Sequence, residues 1–439
     1  MQLRTIMLIL SIFATPLALA LDSVDTHHLL NRTVLNQITA FPEIYPLDSR
    51  NQAVSALMNS EELQVAPPGC VNKAPLPASV RKQMNADEKR TMRKQRRACR
   101  KVLQAWYAGS LLTSGASIQT KMVLFWHNHF TSSLKKVKEP KLIYRQHQLL
   151  EQYAMGNFSG FLQAMVHDSA MLIYLDNAAN IKGRPNENLA RELLELFSMG
   201  EGHYSEQDVK ELARALTGLT VDREVYETAF RQGKHDVDLK TIFGQQGRYD
   251  AKSAVELILQ HPATSKYITR KLWSYFISVE DETEIQRLSS VFAETWDIKQ
   301  LVTGILSTDQ FWADRGNMIK SPIELIVGTT SLVGNHLISP DDIVRLANGM
   351  GQGLFNPPNV KGWPTGHDWI NADRLLRRIN FSERVMQGSM AQYSETLPVA
   401  CQEGGPLTYA ALPPVQPIHS NQCIDQLEQL LIDPVWQLK

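Results

Sequence analysis

The sequence lacks the short motifs that mark several well-known reaction types. It contains no His-Glu-x-x-His, no Gly-x-Ser-x-Gly and no Gly-x4-Gly-Lys segment, which argues against a zincin, an α/β-hydrolase nucleophile and a phosphate-binding P-loop. It also has no Cys-x-x-Cys pair, so a dithiol redox site or a zinc knuckle is not expected. The glycine series from Gly349 to Gly353 follows a predicted helix rather than a strand and therefore does not indicate a dinucleotide site.

Net charge and long apolar segments are missing as well. Lys+Arg and Asp+Glu both number 45 in a chain of 439 residues, so the formal net charge is zero. This balance argues against a dedicated nucleic-acid or anionic-membrane binder. After the N-terminus no stretch reaches the ~20 uninterrupted apolar residues of a membrane span, so we expect no integral membrane segment in the mature chain.

Residues 1–20 predict a secretory signal peptide. Arg4 supplies a short positive start, residues 6–13 an apolar core, and Ala18-Leu-Ala20 a small-residue cleavage pattern. A membrane anchor is the alternative, but the apolar run is too short to span a bilayer comfortably. We therefore predict a periplasmic or secreted protein.

The four cysteines fit an exported protein. They permit three pairings, and proximity along the chain favours Cys70–Cys99 and Cys401–Cys423, each closing a modest loop.

Hydrophobic periodicity predicts a mainly α protein, a multi-helical globular domain over residues 21–390 with a small β-hairpin insert at about 219–243. Residues 391–439, rich in Pro, Gly and Gln, are predicted to form an irregular, disulfide-linked C-terminal tail. A basic stretch from Arg81 to Lys101 is typical of a solvated helix; contact with an anionic glycan or a membrane surface is the alternative.

The segment Phe125–Phe130 carries two histidines, His127 and His129, among aromatic residues. Residues two apart on a helix lie about 200° apart, so both can bind one metal only if the segment unwinds. Imidazole is a common metal ligand and the usual acid–base group near neutral pH. The alternative is two structural histidines packed among aromatic rings.

The helix predicted over 187–199 has a densely polar face. Glu187, Arg191 and Glu195 stand at i, i+4 and i+8, a spacing that favours intrahelical ion pairs. Asn186, Glu187 and Asn188 cluster at the helix N-terminus, where free backbone N–H groups favour an anionic ligand. We expect Asp176 and Asn177, just upstream, to approach the same place, with Arg191 orienting an anionic substrate group.

Two further polar groups are candidates. His235 and Asp236, followed by Lys240, lie in the β insert and are either turn residues or a ligand-and-base pair. The remaining group lies on a Pro/Gly-rich loop, where exposed tryptophans would stack on sugar rings and buried ones would anchor the loop. Its members are Asn359, Lys361, Trp363, His367 and Trp369.

Ordered motifs from about Leu29 to about Phe381 resemble the bacterial "domain of unknown function 1800" family of exported proteins. They are Phe125–Phe130, Ala170–Asn177, Asn186–Gly200, Tyr204–Val209, Ala213–Gly218, His235-Asp236 with Lys240 and Gly244, Lys271–Trp273, Lys320–Glu324, Pro357–Pro364 and Trp369–Asn371. The resemblance implies no established activity. It does imply a partner, an exported sulfatase- or alkaline-phosphatase-like protein. The family usually has an acidic residue near position 120, where this chain has Thr120.

Two functions remain open from the sequence. The first is a metal-assisted hydrolase of an envelope or extracellular anionic or glycan substrate. Its catalytic residues would be His127, His129, Glu187, Arg191 and Asp236, and a divalent ion would be held by His127, His129, Glu187 and His235. Its substrate-binding residues would be Asp176, Asn177, Asn186, Asn188, Lys240, Asn359, Lys361, Trp363 and Trp369. The second is a non-catalytic envelope protein that binds the sulfatase- or phosphatase-like partner.

Overall fold

The computed structural model describes residues 21–44, 47–60, 63, 65–334, 337–390, 398–402 and 405–439. The predicted signal peptide, residues 1–20, lies outside the described residues. Within them the prediction of a mainly α protein is confirmed. The helices of the first half are α1 Ser23–Thr33, α2 Gln37–Ile44, α3 Arg50–Met58, α4 Gly69–Asn72, α5 Ala78–Gln83, α6 Ala86–Thr113, α7 Ile118–His129, α8 Leu134–Val137, α9 Pro140–Tyr153, α10 Phe158–Val166, α11 Ser169–Tyr174, α12 Asn188–Glu192 and α13 Glu206–Ala215.

The second half continues the helical pattern. Its helices are α14 Ala251–Gln260, α15 Pro262–Phe276, α16 Glu282–Thr295, α17 Ile298–Leu306, α18 Asp309–Ala313, α19 Pro322–Val333, α20 Pro340–Gly349, α21 Ala372–Met390, α22 Val399–Gln402 and α23 Cys423–Ile432. Side-chain caps set many of the starts. At the start of α13 the Ser205 side chain accepts from the Asp208 backbone N–H, and the Asp208 side chain accepts from the Ser205 backbone N–H, which together form a capping box.

Two small antiparallel hairpins interrupt the helices. β1 Leu219–Asp222 pairs with β2 Glu227–Phe230, and β3 Lys240–Ile242 pairs with β4 Gln245–Gly247. The β insert therefore extends four residues beyond the predicted boundary at 243. Phe243 and Gly244 both have positive φ, at 49° and 75°, as a two-residue type I′ hairpin turn requires.

The C-terminal residues pack on the helical core. Leu427, Leu430 and Trp436 are at most 1% exposed, and Leu438 forms an isolated antiparallel bridge with Ile319. The tail predicted from 391 onward thus contains the helix α23, which packs against α21, and the buried Trp436, whose ring contacts Lys320 just before α19.

A buried carboxylate, Glu324, lies beneath this C-terminal segment. It forms an ion pair with the Nζ of Lys121 and another, at 2.5 Å, with the Nζ of Lys439. Burial raises the pKa of Glu324, but these two ammonium groups outweigh it and hold that pKa well below its usual range. Burial lowers the pKa of Lys439, and that of neighbouring Lys320, to about 7.

Both predicted disulfides are present. Cys70 joins Cys99, which ties α4 to α6, and Cys401 joins Cys423, which ties α22 to α23. None of the helices in the described part of the chain is both long and apolar enough to cross a membrane.

Candidate functional site

Three side chains on α7 and α9 form a hydrogen-bonded chain that includes His127 of the predicted aromatic-histidine motif. His147 and Glu151 stand one turn apart on α9, at the i, i+4 spacing that brings side chains together. His147 Nε2 lies 3.0 Å from Glu151 Oε1, and His147 Nδ1 lies 2.8 Å from His127 Nε2. We call Glu151, His147 and His127 the relay.

Hydrogen bonding assigns the protons in the relay. A carboxylate only accepts, so His147 donates from Nε2 to Glu151, and in the neutral tautomer that this bond selects its Nδ1 is an acceptor. His127 then donates from its Nε2. Burial, reinforced by the neighbouring His147, holds the pKa of His127 well below 6.5, so this imidazole is neutral at pH 7.

Aromatic rings enclose the inner part of the relay. The Tyr107 ring lies 4.7 Å from that of His147 and 5.3 Å from that of His127, centroid to centroid. Trp106 meets His147 edge-on at 5.3 Å, and Phe355 meets His127 edge-on at 5.1 Å. These contacts fix the orientation of both imidazoles.

The outer end of the relay opens into a small polar pocket. The His147 and Glu151 side chains are 2% and 28% exposed, and both line the pocket. Its volume of about 20 Å³ is enough for one water molecule. Other lining residues are Leu63, Val65, Trp106, Tyr107, Ser110, Ser114, Thr120 and Val123. At the position where the family resemblance implies an acid, the Thr120 hydroxyl donates to the Ser114 carbonyl at 2.8 Å.

His129 points to a different neighbour from His127, as expected for residues two apart on a helix. Its Nε2 lies 3.1 Å from the Phe197 carbonyl, within a π-helical turn, Leu193–Ser198, that continues α12. Burial lowers the pKa of His129 to about 3, so it is neutral and donates to this carbonyl. Tyr267 donates to the next carbonyl of the turn, that of Leu196, at 3.1 Å. His129 therefore satisfies a carbonyl that the π turn leaves free.

The polar side chains around the start of α12 bind nearby backbone carbonyls and Lys136. Asn186 Nδ2 donates to the Asp176 carbonyl at 3.4 Å, and Asn188 Nδ2 donates to the Leu175 carbonyl at 3.2 Å. Asn177 is 1% exposed and donates to a β1 carbonyl at 2.8 Å. Asp176 forms an ion pair with Lys136 at 2.7 Å. The structure thus brings Asp176, Asn177, Asn186 and Asn188 together.

Arg191 is held by carboxylates on its own and the next helix. Its guanidinium lies 3.1 Å from Glu187, at i−4, and 2.7 Å from Glu206 on α13. Glu195 lies 4.0 Å from Lys361. The intrahelical ion pair that the spacing favours is thus present for Glu187 and Arg191.

The segment between the two hairpins is hydrogen-bonded to α13 and the residues that follow it through His235 and Asp236, and Lys240 binds Asp236 in turn. Asp236 binds the Arg214 guanidinium at 2.8 and 3.3 Å. Lys240, 1% exposed, donates to the Asp236 carbonyl at 2.6 Å. His235 Nδ1 lies 2.9 Å from the Thr217 carbonyl. All three polar groups are engaged in local structure.

The tryptophans of the 357–371 loop are anchors. Trp363 and Trp369 are 4% and 5% exposed, which leaves no open face for sugar stacking. The Trp363 backbone N–H donates to Asn128 Oδ1 at 2.5 Å. Gly362, with φ of 92°, passes so close that a Cβ would meet Asn128 at 2.2 Å. Asn359 Oδ1 accepts the Lys361 N–H at 2.9 Å. The loop is therefore joined to the helix of the aromatic-histidine motif.

The described residues contain no group of three or more His, Cys, Asp and Glu side chains placed to hold a metal ion. The four predicted ligands have separate partners: His127 has His147, His129 has Phe197, Glu187 has Arg191, and His235 has Thr217. Within the described chain no hydrogen bond or ion pair joins either α7 histidine to Glu187 or Asp236. A metal role for these four residues stays a prediction.

The sequence motifs missed His147, Glu151 and Tyr107. The only local signal is the i, i+4 pair of a histidine and a glutamate on a predicted helix. Such a pair is common on solvated helices. Here it becomes part of a buried arrangement because α6 and α7 pack against it.

The chain is thus a disulfide-containing, multi-helical protein with a buried imidazole pair beside a polar pocket. The chain belongs to the DUF1800 family: the family model, described as "Protein of unknown function (DUF1800)", matches residues 25–438. No curated protein and no solved structure matches it significantly.

Proposed function

We propose that this protein is an extracytoplasmic hydrolase of an anionic or glycan substrate from the envelope or the medium, with the relay supplying its general base. The observation that supports the proposal is the continuous hydrogen-bonded line from His127 through His147 to a carboxylate at a water-sized pocket. A carboxylate backed by an oriented imidazole is a common way to place a base.

In the proposed reaction Glu151 is the catalytic residue, because it is the most exposed member of the relay. It takes a proton from a water in the pocket, and the water oxygen attacks the electrophilic centre of the substrate. The proton returns to the leaving oxygen as its bond breaks, so Glu151 ends as a carboxylate. His147 and His127 are positioning residues, since they hold the carboxylate through one oxygen and leave the other free.

The extracytoplasmic location is supported by the two disulfides, which persist in oxidising compartments. The predicted signal peptide agrees with it. The mature chain should then begin near Leu21, and the intact mass of protein recovered from the periplasm or the medium tests this. A mass that retains Met1 contradicts it. Elemental analysis of the same sample tests whether a divalent metal accompanies the relay.

The reaction is tested with chromogenic nitrophenyl esters of phosphate, sulfate and acetate and with nitrophenyl glycosides. The wild-type protein should hydrolyse at least one class, and Glu151→Gln should lower that rate by about 10²–10⁴, the usual contribution of a general base. Glu256→Gln is the matched control, because Glu256 is exposed and lies on α14, away from the pocket. Its rate should equal that of the wild type.

Equal rates for the wild type and Glu151→Gln, with unchanged circular dichroism, would rule out the relay as the base. If no class is hydrolysed, the non-catalytic binding protein with a sulfatase- or phosphatase-like partner becomes the better account.

A further inference from the structure

A second and larger pocket lies between the start of α9, the basic α6 helix and the first hairpin. Its volume is about 280 Å³, close to the lower end of small-molecule sites. Five basic side chains line it, Arg81, Arg96, Lys136, Lys138 and Arg223, with two acidic ones, Glu139 and Asp176. We call it the basic pocket.

The two acids are already neutralised. Glu139 forms an ion pair with Arg96 at 2.7 Å, and Asp176 forms one with Lys136 at 2.7 Å. The remaining cations, Arg81, Lys138 and Arg223, have no carboxylate within ion-pair distance among the described residues. The pocket therefore carries three uncompensated positive charges.

Buried donors in the wall also have no protein partner. Tyr226 is 2% exposed, and within the described structure its hydroxyl has no hydrogen-bond partner, nor does the Nε of Arg81. The Arg81 guanidinium lies over the Tyr226 ring, 5.2 Å from the ring centroid, so the two side chains form one part of the pocket wall. A buried polar group left without a partner destabilises the folded chain, and an acceptor on a bound ligand offsets that penalty.

We propose that the basic pocket binds a phosphate or sulfate ester group of the ligand. A tetrahedral oxyanion accepts from an arginine fork and a hydroxyl together, and its charge offsets the excess cations. The volume leaves space for the organic group that carries the ester. In this form the inference deepens the proposed function, since it names the anionic group of the substrate.

The basic pocket and the relay lie along the same pair of helices. Arg96 and Tyr107 lie on α6, eleven residues apart, and Glu151 on α9 lies twelve residues after Glu139, the residue that precedes this helix. At 1.5 Å rise per residue the two sites are about 16–18 Å apart. A ligand anchored by its ester in the basic pocket must therefore be extended to reach Glu151, as an oligosaccharide of several units is.

Binding is tested by calorimetric titration with inorganic phosphate, inorganic sulfate and glucose 6-phosphate. Tyr226→Phe removes only the hydroxyl and should weaken binding about tenfold, and Arg81→Gln should weaken it at least as much. Arg287→Gln, an exposed arginine on α16, is the matched control and should leave binding unchanged. Phosphate or sulfate binding that both pocket variants weaken supports the proposal, and the tighter ion identifies the ester.

Binding of none of the three probes, or binding that Tyr226→Phe and Arg81→Gln leave unchanged, would overturn the proposal. Circular dichroism and thermal midpoints show whether the variants fold. Glu151→Gln should bind the probes like the wild type. If it does and no hydrolysis is found, the proposed function fails while the anion site stands.

Discussion

Replacing Glu324 by glutamine should remove a large part of the stability of this protein. Glutamine keeps the size of the side chain and an oxygen that can accept the Ser321 N–H, a bond of 2.5 Å in the capping box of α19. The change therefore isolates the charge. Two ammonium groups, on Lys121 and Lys439, with side chains 0% and 4% exposed, lose their counter-ion.

The expected loss is about 3–5 kcal/mol, the usual cost of breaking a buried ion pair by removing one partner. Although two lysines lose their partner, the loss should stay below twice this value. The pKa of Lys439 is already about 7, so this lysine can release its proton and avoid an unpaired buried charge. Lys439→Met should cost less, since Glu324 keeps Lys121 as a partner.

Urea unfolding at pH 7, followed by tryptophan fluorescence, measures these differences. The matched control is Glu294→Gln on α16, an exposed glutamate, which should stay within about 0.5 kcal/mol of the wild type. A loss below about 1 kcal/mol for Glu324→Gln would refute the view that this carboxylate compensates two buried charges.

Three other predictions concern the stability contributed by buried ionisable side chains and by a disulfide. Burial lowers the pKa of Lys320 and that of Lys439 from 10.5 to about 7, so the unfolded chain binds more protons between these values. Stability should therefore rise from pH 7 to 10.5 in urea titrations, and Lys320→Met should reduce that rise without abolishing it. Burial lowers the pKa of His27 and that of His28 from 6.5 to about 4, so the free energy of unfolding should fall as the pH drops from 6.5 to 4, by about 3 kcal/mol for each histidine. Burial raises the pKa of Asp168 to about 6, which opposes only part of this loss. A free energy of unfolding that stays constant between pH 6.5 and 4 would contradict the prediction. The double variant Cys70→Ser with Cys99→Ser removes the bridge that closes 29 residues and keeps Cys401–Cys423. Its urea unfolding should show a loss of about 2–4 kcal/mol.

Local rules predict much of the fold. The hydrophobic periodicity that predicts a multi-helical domain over residues 21–390 corresponds to the helices found there, and the Ser205-x-x-Asp208 spacing is the local signature of the capping box that begins α13. The cysteine pairs follow from proximity along the chain. These features depend on neighbouring residues, so one sequence is enough to find them.

Features that depend on tertiary contacts cannot be predicted from such local rules. The strand Gln245–Gly247 has little β propensity and forms because a tight turn returns it to β3. The π turn at Leu193–Ser198 looks like ordinary helix in sequence. His127 was a candidate from its motif, but its partner His147 lies twenty residues away on another helix, and no spacing rule joins them.

The existence of the relay is tested most directly by ¹⁵N NMR of the imidazole nitrogens in protein labelled at histidine. At pH 7 our account predicts that His147 carries its proton on Nε2, that His127 is neutral with its proton also on Nε2, and that Glu151→Gln changes the His147 signals while Glu256→Gln does not. A proton on Nδ1 of His147, a charged His127, or His147 signals indifferent to Glu151 would contradict it.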